Sequence, residues 1–129
     1  MPAKKLVVVI DDDVPNRELL SYRLIREGYR VYCPVPQSGF VFETLDHGPP
    51  DAIILDIHLD RISGLGLLRD LKKDARLERT KVVILANERR PEDRRQCLDL
   101  GAHLYLTKPY SVRELLEQLD RLLTTSATS

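Results

Sequence analysis

Short apolar runs recur along the chain at Leu6–Ile10, Arg30–Cys33, Ala52–Leu55, Lys81–Leu85 and Leu104–Leu106. They are nearly uninterrupted and rich in β-branched residues. They do not alternate with polar residues, which suits strands buried on both faces of a parallel sheet. Between them the apolar residues fall at helical spacing. Leu19, Leu20, Tyr22, Leu24 and Ile25 are expected to line one side of a first helix ending at Gly28, a favoured position for glycine just past a helix. Phe40, Val41, Phe42 and Leu45 predict a second helix, with Ser38 as a possible cap, between Pro34/Pro36 and Gly48-Pro49-Pro50. Leu65, Leu67, Leu68 and Leu71 mark a third. Pro91 opens a fourth, followed by acidic Glu92 and Asp93 and closed by Gly101. Ser111 and Glu114 form a capping-box pattern for a fifth, whose apolar face is Val112, Leu115, Leu116, Leu119, Leu122 and Leu123. Strands alternating with helices describe a (βα)5 domain of the α/β class, doubly wound on a five-stranded parallel sheet. Residues 1–125 make that domain and 126–129 a polar C-terminal tail.

A chain of 129 residues fits one such domain. Its 20 Lys+Arg balance its 20 Asp+Glu, so no basic excess favours a nucleic-acid partner. The early apolar run is too short for a signal core or a spanning helix, which makes a cytoplasmic protein with no membrane partner the expectation. Cys33 and Cys97 show no metal-binding spacing and are expected to be free thiols.

In open α/β sheets the functional crevice lies beyond the carboxyl ends of the strands. There the first strand ends in Asp11-Asp12-Asp13, the third in Asp56, the fourth in Ala86-Asn87 and the fifth in Thr107-Lys108-Pro109. Clustered carboxylates repel unless a cation shares their charge. All-oxygen ligation favours Mg²⁺. A strand-end carboxylate can form an aspartyl-phosphate, and a lysine opposite can neutralise phosphoryl oxygens. Taken alone, each piece has a simpler reading. The Asp triplet could begin a helix, with Asp13 as cap ahead of Pro15, and Lys-Pro is a common turn. Their meeting on one crevice points to phosphoryl transfer, with Asp56 as the acceptor.

The chain resembles bacterial two-component response-regulator receiver domains over about Lys5 to Leu123. The resemblance rests on Val8-Val9-Ile10-Asp11-Asp12-Asp13, Ile54-Leu55-Asp56, Ser63-Gly64, Gly101-Ala102 and Tyr105-Leu106-Thr107-Lys108-Pro109, in that order and spacing. It implies a flavodoxin-like, CheY-like sheet in strand order 2-1-3-4-5. It implies that Asp56 accepts a phosphoryl group from a histidine kinase or phosphotransfer protein. Asp11, Asp12, Asp56 and the backbone carbonyl of His58 would hold Mg²⁺, Lys108 would contact the phosphoryl group, and Tyr105 would be the aromatic switch. The Lys108–Pro109 bond would be cis. The output would be binding of a downstream protein or a second copy through the face of the fourth helix, fifth strand and fifth helix. Catalysis would be limited to self-phosphorylation and self-dephosphorylation.

Two departures stand out. Ala86 occupies the position where the family usually carries Thr or Ser, so the hydroxyl that would bond the phosphoryl group is missing; Asn87 is one residue too far along. Leu59-Asp60 replaces the common Met-Pro. These leave a degenerate receiver acting as a phosphorylation-independent scaffold as one alternative. A small Mg²⁺-dependent phosphatase is another, although a haloacid-dehalogenase-type site would need an acid where His58 stands. A flavodoxin-like cofactor site is disfavoured by acids in place of a phosphate loop. The resemblance implies that His58 and Glu88 flank the phosphate, where either could orient water or be a plain solvent-facing loop residue. His47 and His103 are scattered and suggest no metal role. Ten of the 20 basic residues fall between Arg69 and Arg95, including the run from Arg89 to Arg95, which gives a basic surface beside the acidic pocket.

Overall fold

The computed structural model describes residues 4–34, 48–59, 63–87 and 91–125. Five parallel strands form one sheet: β1 (Leu6–Ile10), β2 (Arg30–Tyr32), β3 (Ala52–Asp56), β4 (Lys81–Ala86) and β5 (Leu104–Thr107), in order β2-β1-β3-β4-β5. The described helices are α1 (Val14–Arg26), α2 (Gly64–Lys73), α3 (Pro91–Asp99) and α4 (Val112–Thr125), with a 3₁₀ turn at Ala75–Leu77. The expected five-helix count is thus met by four among the described residues. The predicted second helix around Phe40–Leu45, with Ser38, lies outside them, as do the 126–129 tail, His47, Asp60 and the segment 88–90.

The unbroken apolar strands are explained by helices on both faces. Alternate residues of a strand point to opposite sides. Val8, Ile10, Ile53, Leu55, Val82 and Ile84 pack with Leu67, Leu68 and Leu71 of α2 and Cys97 of α3. Their neighbours Val7, Val9, Ile54, Val83 and Leu85 pack with Leu20 and Leu24 of α1 and Leu115, Leu116, Leu119 and Leu123 of α4. Each such fully buried side chain contributes about 1.5–3 kcal/mol of transfer free energy. This two-sided packing leaves Asp11 and Asp56, at the strand ends, among the few buried charged groups.

The first helix corrects the expected apolar side. Only Leu20 and Leu24 are buried, whereas Leu19, Tyr22 and Ile25 are 53%, 57% and 58% exposed. At about 100° per residue, five apolar positions within seven residues cannot share one stripe, and the four-residue pair Leu20/Leu24 is the one turned to the sheet. Asp13 does precede this helix, but its side chain makes no capping bond; its backbone carbonyl accepts from the Arg17 amide at 2.9 Å. Gly28 and Gly101 end α1 and α3 with φ of 98° and 105°, a region open to glycine at little cost. Ser111 caps α4 by accepting from the Glu114 amide at 3.1 Å, while the Glu114 carboxylate accepts from Gln118 further along the helix. Ser63 caps α2 by accepting from the Gly66 amide, a cap the apolar pattern did not reveal. Both cysteines are free, and burial pushes the Cys97 thiol up to about 11.

Candidate active site

β1 and β3 are neighbours, and their register pairs Ile10 with Leu55, so the next residues on each strand, Asp11 and Asp56, emerge side by side. Here the strand order reverses, β2 lying to one side of β1 and β3 to the other, and such switch points form the crevice of open α/β sheets. Asp11 is 1% exposed and Asp56 3% exposed. Asp12 stands beside them half-buried, and one carboxylate oxygen from each of Asp11, Asp12 and Asp56 lies within 4.8 Å of the others. Asp13, expected at or beside the crevice, is exposed and outside this cluster; it contributes its amide, which donates to Asp11 Oδ1 at 2.9 Å.

Lys108, just past β5, closes the pocket. Its ammonium Nζ donates to Asp56 Oδ2 at 2.9 Å and to Asp11 Oδ2 at 3.4 Å. Burial works against the ammonium's charge, but the hydrogen bond and charge of Asp56, then those of Asp11, outweigh it and raise its pKa above the ordinary 10.5. The Lys108 amide is held by the Ala86 carbonyl at 2.7 Å, and the Lys108–Pro109 bond is cis, as the resemblance implied. The other oxygen of Asp56, Oδ1, accepts from the backbone amide of His58 at 2.8 Å. The His58 imidazole turns one face inward: its Nε2 is buried and meets no partner among the described residues.

Ala86 ends β4 fully buried, paired with Thr107, and presents only a methyl group where the resemblance implied a hydroxyl. Asn87 is exposed. Tyr105 packs in the same apolar cluster as Ala86 and is 7% exposed; burial, then the charge of Asp93, pushes its hydroxyl pKa up. Glu88 and Arg89–Arg90 lie outside the described residues.

Two functional neighbours escaped the sequence reading. Asn16, in the first turn of α1, donates from its amide nitrogen to Asp11 Oδ2 at 2.5 Å. Tyr110 donates from its hydroxyl to Asn16 Oδ1 at 3.1 Å. Both stand within five residues of a strand-end motif, but nothing in the local pattern joins positions 94 apart.

Three hard carboxylates within reach of one point fit a divalent cation such as Mg²⁺, and no soft ligand accompanies them among the described residues. Lys108 beside them supplies a fixed positive charge for an incoming anion. The arrangement can therefore neutralise a phosphoryl group at Asp56.

Residues 7–120 match the family model of the response regulator receiver domain. The fold is similar to that of a CheY-like receiver domain protein from Methanospirillum hungatei JF-1, with a TM-score of 0.86 and 24% identity over 97% of this chain and 98% of that one. The chemotaxis protein CheY4 of Vibrio cholerae aligns with a TM-score of 0.83 and 24% identity over 93% and 99% of the two chains. The receiver domain of the sensor histidine kinase PA1611 from Pseudomonas aeruginosa PAO1, solved with magnesium coordinated in its active-site cleft, gives a TM-score of 0.81 and 25% identity over 95% and 99%.

Proposed function

This chain belongs to the response regulator receiver domain family of two-component signalling, and on that premise we propose that Asp56 accepts a phosphoryl group from the phosphohistidine of a histidine kinase or phosphotransfer protein. The observation that carries this reading is the bridge of Lys108 to both Asp56 and Asp11 inside the acidic cluster. An Asp56 oxygen attacks phosphorus, the P–O bond forms as the P–N bond breaks, and the imidazole leaves with the electron pair. Lys108 offsets the charge on the transferring oxygens. Asp11, Asp12, Asp56 and the His58 carbonyl would hold Mg²⁺, which supplies further neutralisation of that charge. The His58 amide on Asp56 Oδ1 and Lys108 on Oδ2 fix the nucleophile's carboxylate plane before the donor arrives.

The product is a signal rather than a released metabolite: one phosphate adds about two negative charges to the crevice. Downstream binding through the face of α3, β5 and α4, by a target protein or a second copy, is the proposed output. No described helix is long and apolar enough to cross a membrane, in keeping with a module that meets its partners in solution.

A second reading has its own support. Ala86 carries no hydroxyl and Tyr105 is already buried against the same cluster, which favours a scaffold whose switch residue stays inward without phosphate. Acetyl phosphate with Mg²⁺, followed by a phosphate-affinity gel, separates the readings. A shifted band in the wild type that is lost in Asp56→Asn supports the phosphoacceptor; no shifted band, from acetyl phosphate or from a purified histidine kinase, supports the scaffold. Catalytic release of phosphate from small phosphate esters would instead indicate a phosphatase.

A further inference from the structure

Asn16 is a helix residue whose amide is used at both ends. A carboxylate only accepts, so the NH₂ group must face Asp11 and the carbonyl oxygen is left for the Tyr110 hydroxyl. Asp11 Oδ2 then receives two donors, Asn16 Nδ2 and Lys108 Nζ, which fill its two lone-pair directions. Among the described residues, Asp11 Oδ1 receives one, the Asp13 amide, and keeps a lone pair open. The choice of which Asp11 oxygen stays open is thus made by Asn16 and Lys108 together. Tyr110 acts one step further out, from the connection after β5.

We propose that Asn16, oriented by Tyr110, is a positioning residue for the divalent cation, holding the Asp11 carboxylate with Oδ1 open to it. The inference rests on the metal-dependent receiver reading above. It adds that cation affinity is set in part by a tyrosine that touches none of the three acids through any bond in the relay, and that the β5–α4 connection is tied to the metal pocket through a neutral relay. Lys108 ties the same two regions by charge; the Asn16–Tyr110 relay does so with direction and without a titrating group near neutral pH.

The test is Mg²⁺ binding itself, followed by amide NMR titration of the ¹⁵N-labelled chain without any phosphodonor. Removing an outer partner of a metal ligand typically weakens affinity about tenfold or more, so Asn16→Ala is expected to raise the Mg²⁺ Kd about tenfold. Tyr110→Phe, which removes a single oxygen and leaves the packing, is expected to raise it about threefold, the scale of one lost neutral hydrogen bond. The double variant should bind no worse than Asn16→Ala, because Tyr110 acts only through Asn16. A merely structural role would lower stability in urea without this pattern. Wild-type affinity in both single variants overturns the relay, as do effects that multiply in the double variant. If Asn16→Ala does not fold, Tyr110→Phe decides alone. A wild type that binds no Mg²⁺ at millimolar concentration overturns the metal reading beneath the proposal and the proposal with it, an outcome distinct from a normal wild type with unaffected variants.

Discussion

Lys108→Met tests how far one lysine offsets the buried acids. The substitution leaves an unbranched, uncharged chain of similar length and removes the ammonium. Lys108 Nζ stands 2.9 Å from Asp56 Oδ2 and 3.4 Å from Asp11 Oδ2. At an effective dielectric of about 20, each attraction is worth about 5 kcal/mol before desolvation is subtracted. The lysine side chain is 19% exposed, so it has lost most of its hydration, and the two carboxylates have lost nearly all of theirs. Removing one partner of such a buried pair typically costs about 3–5 kcal/mol. With the partial exposure allowed for, the expected loss is about 2–4 kcal/mol in urea unfolding followed by far-ultraviolet circular dichroism, at pH 7 in EDTA. Mg²⁺ should recover part of it, since a cation among Asp11, Asp12 and Asp56 takes over the missing charge. The variant is therefore expected to gain at least about 1 kcal/mol more from 10 mM Mg²⁺ than the wild type, roughly what a fivefold tighter site would supply. The sign with pH follows from the raised lysine pKa. The contribution is fully present below 10.5 and is lost as pH rises through the higher folded value, so the gap between the two proteins should close only in strong alkali. A loss under about 1 kcal/mol in EDTA, or equal Mg²⁺ stabilisation of both proteins, would refute the reasoning that Lys108 is the internal counter-ion of this pocket.

Ala86→Ser restores a hydroxyl beside the acceptor; a hydrogen bond to a charged phosphoryl group is worth about 1.5–3 kcal/mol. Amide shifts around Tyr105 on phosphorylation should then exceed those of the wild type, and equal shifts would show that the missing hydroxyl does not limit the response at Tyr105. Gly64→Ala is expected to destabilise by about 2 kcal/mol or more, because its Cβ would sit 2.3 Å from the Ile57 carbonyl oxygen, a backbone atom that cannot swing aside. The Gly66→Ala control meets only Ser63 at 3.4 Å and should stay within about 1 kcal/mol of wild type; a similar loss in both would mean that the α2 start is generally fragile. His103 Nδ1 accepts from the Val82 amide at 3.1 Å, and although the residue is exposed overall, partial desolvation of its ring, then the charges of Lys72 and Lys81, lower its pKa below 6.5. Its stabilising effect is present above 6.5 and lost as pH falls through the lowered folded value, so between pH 7.5 and 5 the wild type should lose more stability than His103→Ala; parallel losses would remove this bond from the account.

Much of this was legible in the chain itself. The uninterrupted runs at Leu6–Ile10 and Ala52–Leu55 announced two-faced burial, because residues that alternate between faces must all be apolar when both faces are covered. Strand-end positions then placed Asp11, Asp12, Asp56 and Lys108 at one edge, since parallel strands share a carboxyl end. The receiver motifs carried the family. Misreadings arose where several apolar residues competed for a single face. Leu19, Tyr22 and Ile25 look like core in composition and are exposed in the fold. Asp13 looks equivalent to its two neighbours, but the turn into α1 directs it to solvent.

Periodicity and composition encode what each segment does with its own faces, and to that extent the chain alone determined the parallel α/β architecture, the acidic edge and the lysine that answers it. Partner choice between distant segments has no local signature. The pairing of Tyr110 with Asn16, of Asn16 with Asp11, and of the His103 ring with the Val82 amide depends on angstrom-scale distances across loops, set by strand register and helix docking. Only the tertiary structure decided those, because a hydrogen bond is specified by the meeting of two groups in space and not by the identity of either.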